Sequence, residues 1–139
     1  MDIIIGKAEL TVEEKHLAVN IGSGSVKVLA TPVMIALMEK AAAESLVPLL
    51  KTEETSVGTE ISITHISATP ETMRVFAFSK VTNIEGRVYS FDIEAYDETG
   101  LIGKGTHKRA VLNEDRFILG TQKKLSSDAR KEPSNPFIV

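Results

Sequence analysis

Residues 31–44 carry the strongest structural signal in the sequence: Thr-Pro-Val-Met-Ile-Ala-Leu-Met-Glu-Lys-Ala-Ala-Ala-Glu. A threonine followed by proline predicts the start of a helix, because the hydroxyl can cap a free N–H and proline has no N–H to lose. Apolar residues lie almost all the way round the first half of this helix, which predicts that other elements bury it. The helix is expected to end near Pro48.

Four extended segments follow this helix, and each is closed by Gly, Pro, Asn or Asp. They run from Ser56 to Ile66, from Thr72 to Thr82, from Arg87 to Tyr96 and from Leu101 to Asn113. Short strands separated by such residues predict hairpins, and therefore an antiparallel sheet. The third segment alternates apolar and polar residues, so one face of the sheet should be packed. Gly103 and Gly105 in the last segment indicate a bulge or a close backbone approach.

The regions on either side of this core are less regular. From Lys7 to Leu29 the apolar pattern predicts two short strand-like pieces. A turn at residues 21–25, Ile-Gly-Ser-Gly-Ser, separates them. This turn has only two glycines and no Lys-Ser/Thr after them, so a turn is favoured over a phosphate-binding loop. From Gly120 onward the chain becomes polar and is interpreted as a loosely held C-terminal tail, residues 120–139.

One long buried helix with five or six antiparallel strands predicts an α+β domain in which the sheet curls around the helix. This is the hot-dog fold, here as a single domain over residues 1–139. A sheet of this size leaves edge strands unpaired. Pairing with a second copy would satisfy them, so a homodimer or a dimer of dimers is expected.

Composition narrows the functional classes. The chain has 139 residues, a formal net charge of −3 and a pI near 5.6. It also has no run of Lys or Arg, so a nucleic-acid partner is not expected. No apolar run approaches the ~20 residues that span a bilayer, and the N-terminus lacks a basic signal-like region, so no membrane partner and a cytoplasmic location are expected.

The chain has no cysteine and only three histidines at scattered spacing. Disulfides, thiolate nucleophiles and cysteine-based metal sites are therefore excluded, and no metal site or other cofactor is expected.

Glu39 stands out because it lies within the apolar helix. A carboxylate buried there is costly unless a cation or hydrogen-bond donors hold the charged form, and such carboxylates are enriched at active sites. The alternative is a helix turned so that Glu39 reaches solvent beside Lys40. The pattern alone leaves these two interpretations equally open.

His65 is the second candidate. Val57, Thr59, Ile61, Ile63 and His65 share one face of their strand, and the two isoleucines mark it as the core face. An inward imidazole opposite an inward glutamate is a plausible acid/base pair. The alternative is a structural core histidine that simply finds a hydrogen-bond partner.

Thr31 taken alone would be a helix cap, but a helix N-terminus also offers N–H groups to an anion or a thioester carbonyl. Thr31 and Glu39 are eight residues apart, about 12 Å along a helix axis, so a shared site would need a bent segment or a partner chain. Arg109 could pair with a carboxylate or a ligand phosphate. A solvated charge on a strand is nevertheless the default interpretation for Arg109 and His107.

Several of these segments together resemble the hot-dog thioesterase family of fluoroacetyl-CoA thioesterase. The resemblance is carried by residues 30–39, Ser56-Val57-Gly58-Thr59, His65 with Ala68-Thr69-Pro70, and residues 105–111, Gly-Thr-His-Lys-Arg-Ala-Val. It covers roughly residues 10–118. It implies acyl-CoA thioester hydrolysis, with Thr31, Glu39 and His65 catalytic and with Gly58 and Arg109 binding the substrate.

The segment before the helix departs from the pattern of that family. The fluoroacetyl-specific enzyme has a phenylalanine-bearing lid there. In this chain the corresponding segment, residues 21–29, is short and contains no aromatic residue. Fluoroacetyl selectivity is therefore not implied, and a short-chain or aromatic acyl-CoA is an equal alternative. A non-catalytic acyl-CoA-binding or regulatory module and a hot-dog acyl-thioester hydratase are the competing functions.

Overall fold

The computed structural model describes residues 3–138 of the chain. Five antiparallel strands form one sheet in the order β1-β3-β4-β5-β2. The strands are β1 (Ile5–Thr11), β2 (Glu54–His65), β3 (Arg74–Glu85), β4 (Val88–Asp97) and β5 (Gly100–Asn113). The helices are α1 (Ala18–Ile21), α2 (Thr31–Leu46) and α3 (Glu114–Gln122). This arrangement confirms the predicted α+β hot-dog fold.

Helix α2 packs against the inner face of the sheet through one stripe of side chains. The buried members of the stripe are Met34, Leu37, Met38, Ala41, Ala42 and Leu46. They recur every three or four residues, which is the spacing of one helix face. The sheet meets them with inward side chains such as Val75, Phe91 and Ile93, all at most 1% exposed.

The opposite face of α2 is not covered. Pro32, Ala36, Lys40 and Glu44 are exposed, at a spacing of four residues. The expectation that other elements bury the helix on all sides is therefore wrong for the single chain. The small Ala36 made the first half of the helix resemble a fully buried one, although its methyl group costs little when exposed.

A β-bulge interrupts β2 between Gly58 and Glu60. These two residues pair with consecutive residues of β5, Arg109 and Lys108, so β2 has one extra residue at this point. Gly58 pairs with Arg109 and Ile61 pairs with His107, so both lie on the inner face. The extra residue, Thr59, shifts the alternation by one position. The predicted shared face of Val57, Thr59 and His65 is consequently wrong for the first two, whereas His65 stays inward with the isoleucines.

Among the described residues before α2, the chain forms one strand rather than two. After β1 the chain forms a 3₁₀ turn, Glu14–His16, and the short helix α1. The second predicted strand piece is reduced to a single bridge between Leu17 and Leu29. Gly22 ends α1 with a φ of 88°, a left-handed conformation that glycine adopts without a Cβ clash.

The C-terminal region is more ordered at its start than the polar composition indicated. Asn113 caps α3 by accepting a hydrogen bond from the Arg116 N–H at 2.9 Å. A 3₁₀ turn, Lys123–Ser126, follows α3, so the predicted tail begins later than Gly120. Within the described part of the chain, no helix has the length and apolar character needed to span a membrane.

The glycines of β5 allow close backbone approach, as predicted. A Cβ at Gly105 would collide with the backbone oxygen of Ser62 and lie 2.7 Å from the Ile63 Cα. Because backbone atoms cannot move aside easily, we expect Gly105→Ala to lower the free energy of unfolding by about 1–3 kcal/mol. Urea unfolding would measure this change.

Gly120→Ala is the matched control, since a Cβ there meets nothing within 4 Å. Gly120 lies in α3, where alanine has the better helix propensity, so its substitution should be neutral or slightly stabilising. Equal stability of the two variants would contradict the close approach at Gly105.

Candidate active site

Thr31 and His65 meet at the start of α2. Thr31 is the first residue of the helix and His65 is the last residue of β2, and the Thr31 Oγ1 lies 2.7 Å from the His65 Nδ1. The N-cap of α2 is Ala30, with no side-chain capping bond, so the interpretation of Thr31 as a cap is wrong. The Thr31 hydroxyl is instead committed to the imidazole, which fixes the orientation of the ring.

A cavity of about 350 Å³ lies beside this pair. Its lining combines Thr31, His65 and residues 66–68 with the segment before α2, namely Ala18, residues 23–26, Val28 and Leu29. The Nε2 of His65 is buried and has no hydrogen-bond partner among the described residues. Burial lowers the pKa of His65, and the backbone of Ser67 partly opposes this effect. A neutral imidazole with one free nitrogen is suited to accept or donate a proton.

The loop after His65 is held by a buried hydrogen-bond network. Thr69 is fully buried, donates to the Asp97 carboxylate at 2.8 Å, and accepts the Leu29 N–H through its backbone oxygen. Burial alone would raise the pKa of Asp97, but hydrogen bonds from Thr99 and Thr69 outweigh it and the pKa is lowered. This network connects the loop, the end of β4 and the residues before α2, so it positions both halves of the Thr31–His65 pair.

Glu39 belongs to a second cluster, two turns further along α2. The Glu39 Oε2 is 3.8 Å from the Arg109 Nη1, and its side chain is 39% exposed. A Cβ at Gly58 would lie 2.6 Å from the same carboxylate oxygen, so Glu39 lies directly over the β2 bulge and a larger residue at position 58 would displace its carboxylate. Glu39 therefore faces Arg109 and Gly58, while Lys40 pairs with Glu44 on the exposed face.

His107 and Arg109 are buried, with 1% and 8% exposure, so the default interpretation of solvated strand charges is wrong for both. Arg109 donates to the Ser56 hydroxyl at 2.9 Å and to the Ser56 backbone oxygen at 3.0 Å. His107 and Ser56 were not among the candidate residues. The sequence signal that could have identified His107 is its spacing. It lies two residues from Arg109 on the same strand, and alternate residues of a strand lie on the same face of the sheet.

The five predicted site residues thus form two clusters in one chain. Thr31 and His65 are hydrogen-bonded at one end of β2, and Glu39, Gly58 and Arg109 meet at the bulge. Across residues 3–138, no hydrogen bond joins Glu39 to Thr31 or His65. The expected pairing of Glu39 with His65 is therefore not formed within a single chain.

A larger groove, about 970 Å³, lies across the sheet and is lined by residues such as Lys7, Phe78, Glu94 and Lys104. None of the five predicted site residues lines it. Its size alone does not make it the reactive site, since the polar groups able to do chemistry converge elsewhere.

The profile of the family described as "FlK: Fluoroacetyl-CoA-specific thioesterase" matches residues 12–115, which include both clusters. The sheet packed around one helix and the family match define a hot-dog protein of the thioesterase class. The chain belongs to the fluoroacetyl-CoA-specific thioesterase family.

A curated relative, the fluoroacetyl-CoA thioesterase of Streptantibioticus cattleyicolor, is 40% identical over 91 residues. The aligned region spans 66% of this chain and 66% of that protein.

Solved structures extend the similarity over most of the fold. A phenylalanine-to-alanine mutant of the fluoroacetyl-CoA-specific thioesterase FlK, in complex with fluoroacetate and CoA, has a TM-score of 0.81 and 31% identity. The match covers 85% of this chain and 97% of that one. A thioesterase superfamily member from Thermus thermophilus has a TM-score of 0.81 and 25% identity, with 88% and 90% covered.

Proposed function

We propose that this protein hydrolyses an acyl-CoA thioester to the free acid and CoA. The observation that carries the proposal is the Glu39 carboxylate held against the Gly58 bulge beside the buried Arg109. The membership of the chain in a thioesterase family and the similarity to a structure containing CoA support it. We place the enzyme in the cytoplasm. We expect it to need no redox cofactor, since hydrolysis changes no oxidation state, and no metal, since the chain has no cysteine and only three histidines at scattered spacing.

We further propose that the complete site forms between two copies of the chain. β2 is an edge strand that pairs with β5 on one side only, so its other edge is free to bind a second β2. Gly58 pairs with Arg109 and His65 pairs with Gly103, which are 109 − 103 = 6 positions apart on β5, so Gly58 and His65 are separated by about 20 Å at 3.3 Å per residue. Suppose that two β2 strands pair antiparallel around a two-fold axis located between the positions of Gly58 and His65. The partner's His65 then lies closer to Gly58 than the His65 of the same chain does. Dimerisation would therefore bring the two clusters together.

In this site each residue has a distinct role. Glu39 acts on the thioester carbonyl, and the partner's His65, oriented by the partner's Thr31, exchanges a proton with water or the leaving sulfur. Backbone N–H groups near Gly58 are proposed to stabilise the negative oxygen of the tetrahedral intermediate, which is commonly worth a few kcal/mol per donor. Arg109 supplies positive charge next to the reacting centre.

Two chemical routes fit this arrangement. In the first, Glu39 removes a proton from water, the resulting hydroxide forms a C–O bond, and the C–S bond breaks to release CoA thiolate. In the second, a Glu39 oxygen attacks the carbonyl, CoA leaves, and water opens the resulting anhydride. Only the second leaves the mass of the acyl group on rapidly quenched enzyme, so intact-protein mass spectrometry distinguishes them.

The acyl specificity is proposed to be broader than fluoroacetyl. The segment that lines the cavity beside Thr31 and His65 contains serine, glycine, valine and leucine side chains, without an aromatic residue to fill the space. We therefore expect short-chain or aromatic acyl-CoAs to be hydrolysed at least as well as fluoroacetyl-CoA.

Thiol release from a panel of acyl-CoAs tests the proposal. We expect at least one short-chain or aromatic acyl-CoA to be hydrolysed with a kcat/KM in the range typical of enzymes, about 10⁴ M⁻¹s⁻¹ or more. Saturable binding without thiol release from any member of the panel would support a binding or regulatory module instead. Addition of water to an enoyl-CoA would support a hydratase.

A further inference from the structure

His107 lies at the centre of the Glu39 cluster but has no role in the reaction proposed above. It is 1% exposed and sits on β5, on the same inner face as Arg109. Its Nδ1 is 2.8 Å from the Glu60 backbone oxygen, and its Nε2 is 3.2 Å from the Arg109 Nη1. Both ring nitrogens are therefore engaged, and each partner restricts where the proton can be.

The two contacts together specify one protonation state. A carbonyl oxygen only accepts hydrogen bonds, so the His107 Nδ1 must carry the hydrogen that it donates to Glu60. A guanidinium only donates, so the His107 Nε2 must be the unprotonated acceptor for Arg109. In a doubly protonated ring, the His107 Nε2–H would point at the Arg109 Nη1–H, and two donors facing each other in a buried site repel. Burial also lowers the pKa of His107, and the Arg109 charge adds to this, while the Glu60 backbone and Glu39 oppose it.

Arg109 is thereby held at three points. Ser56 accepts from its Nε and Nη2, and His107 accepts from its Nη1. The same Nη1 stays 3.8 Å from the Glu39 Oε2, beyond the 2.7–2.9 Å typical of a charge-assisted hydrogen bond. At this distance the arginine places a positive charge beside the carboxylate without forming a hydrogen bond to the Glu39 Oε2.

We propose that His107 is a positioning residue that draws the Arg109 Nη1 away from Glu39 and so keeps the carboxylate available for reaction. The proposal builds on the thioesterase function proposed above. Without the acceptor at Nε2, the guanidinium can close on Glu39 and form a direct ion pair. That pair would occupy the lone pairs that must take a proton from water or attack the thioester.

Two amide substitutions separate the contacts of His107. The amide of glutamine reaches the position of Nε2 and can accept from Arg109, whereas the shorter asparagine reaches only the position of Nδ1 and can donate to Glu60. We expect His107→Asn to lower kcat by up to about 100-fold with little change in KM, since a misplacement of about 1 Å next to the reacting atoms can cost that much. His107→Gln should retain most of the kcat. A role in packing alone would impair both variants similarly, and thermal unfolding of each reports that contribution.

The protonation state of His107 can also be measured in the wild-type protein, so this test does not depend on whether a variant folds. Imidazole ¹⁵N–¹H spectra should show His107 neutral, with hydrogen on Nδ1 and an unprotonated Nε2. A hydrogen on Nε2 would overturn the positioning role, and so would equal kcat losses in the two variants while the wild type remains active. Absence of thiol release by the wild type would overturn the thioesterase function itself, and this role with it.

Discussion

Replacing Glu39 by glutamine should reduce kcat for thioester hydrolysis by about 10²- to 10⁴-fold, which is the range associated with losing a general base. The amide keeps the shape of the side chain over Gly58 but can neither accept a proton from water nor attack the carbonyl. Steady-state assays of thiol release, with the preferred acyl-CoA identified from the panel, would measure the loss. Affinity for the substrate should change much less than kcat.

Glu44→Gln on the same helix provides the matched control. Glu44 is 55% exposed and its carboxylate lies 4.0 Å from the Lys40 Nζ, a separation at which a solvated pair contributes little. It should keep wild-type activity, and both variants should unfold at nearly the same temperature. Activity of Glu39→Gln within two-fold of this control would remove Glu39 from the reaction.

The fold was largely predictable because its signals are local. The Thr31-Pro32 start and the apolar helix after it identified α2, and turn residues at regular intervals separated four of the five strands. Two features escaped because they depend on tertiary context. The bulge at Thr59 inverts the alternation within a single strand, and residues 18–21 form a helical turn where the sequence favoured an extended piece.

Prediction of the site was limited by the same dependence on context. Glu39 was singled out for its polarity within an apolar helix, but no local rule indicates that it faces Arg109 rather than His65. Which of these two residues Glu39 faces depends on the position of the bulge and on the length of β2. His107 and Arg109 were assigned to solvent because charge is usually exposed. Their burial becomes favourable only because Ser56 and the Glu60 backbone oxygen supply partners from the neighbouring strand.

Mixing two inactive variants should restore hydrolysis if each site uses Glu39 of one chain and the partner's His65. In a heterodimer of Glu39→Gln and His65→Ala chains, one site carries both substitutions and the other carries neither. With different affinity tags on the two chains, successive purification steps isolate this heterodimer. We expect about half of the wild-type activity per dimer, against losses of about 10²-fold or more in each homodimer.

A second, reciprocal heterodimer ensures that the result does not depend on the folding stability of the variant chains. A wild-type chain paired with a Glu39→Gln/His65→Ala double variant has one altered residue in each shared site, so it should be nearly inactive. If each chain instead formed its own site, this second heterodimer would keep about half of the activity and the first would have none. The two arrangements therefore predict opposite results from the same set of substitutions, and loss of folding cannot mimic the restored activity of the first heterodimer.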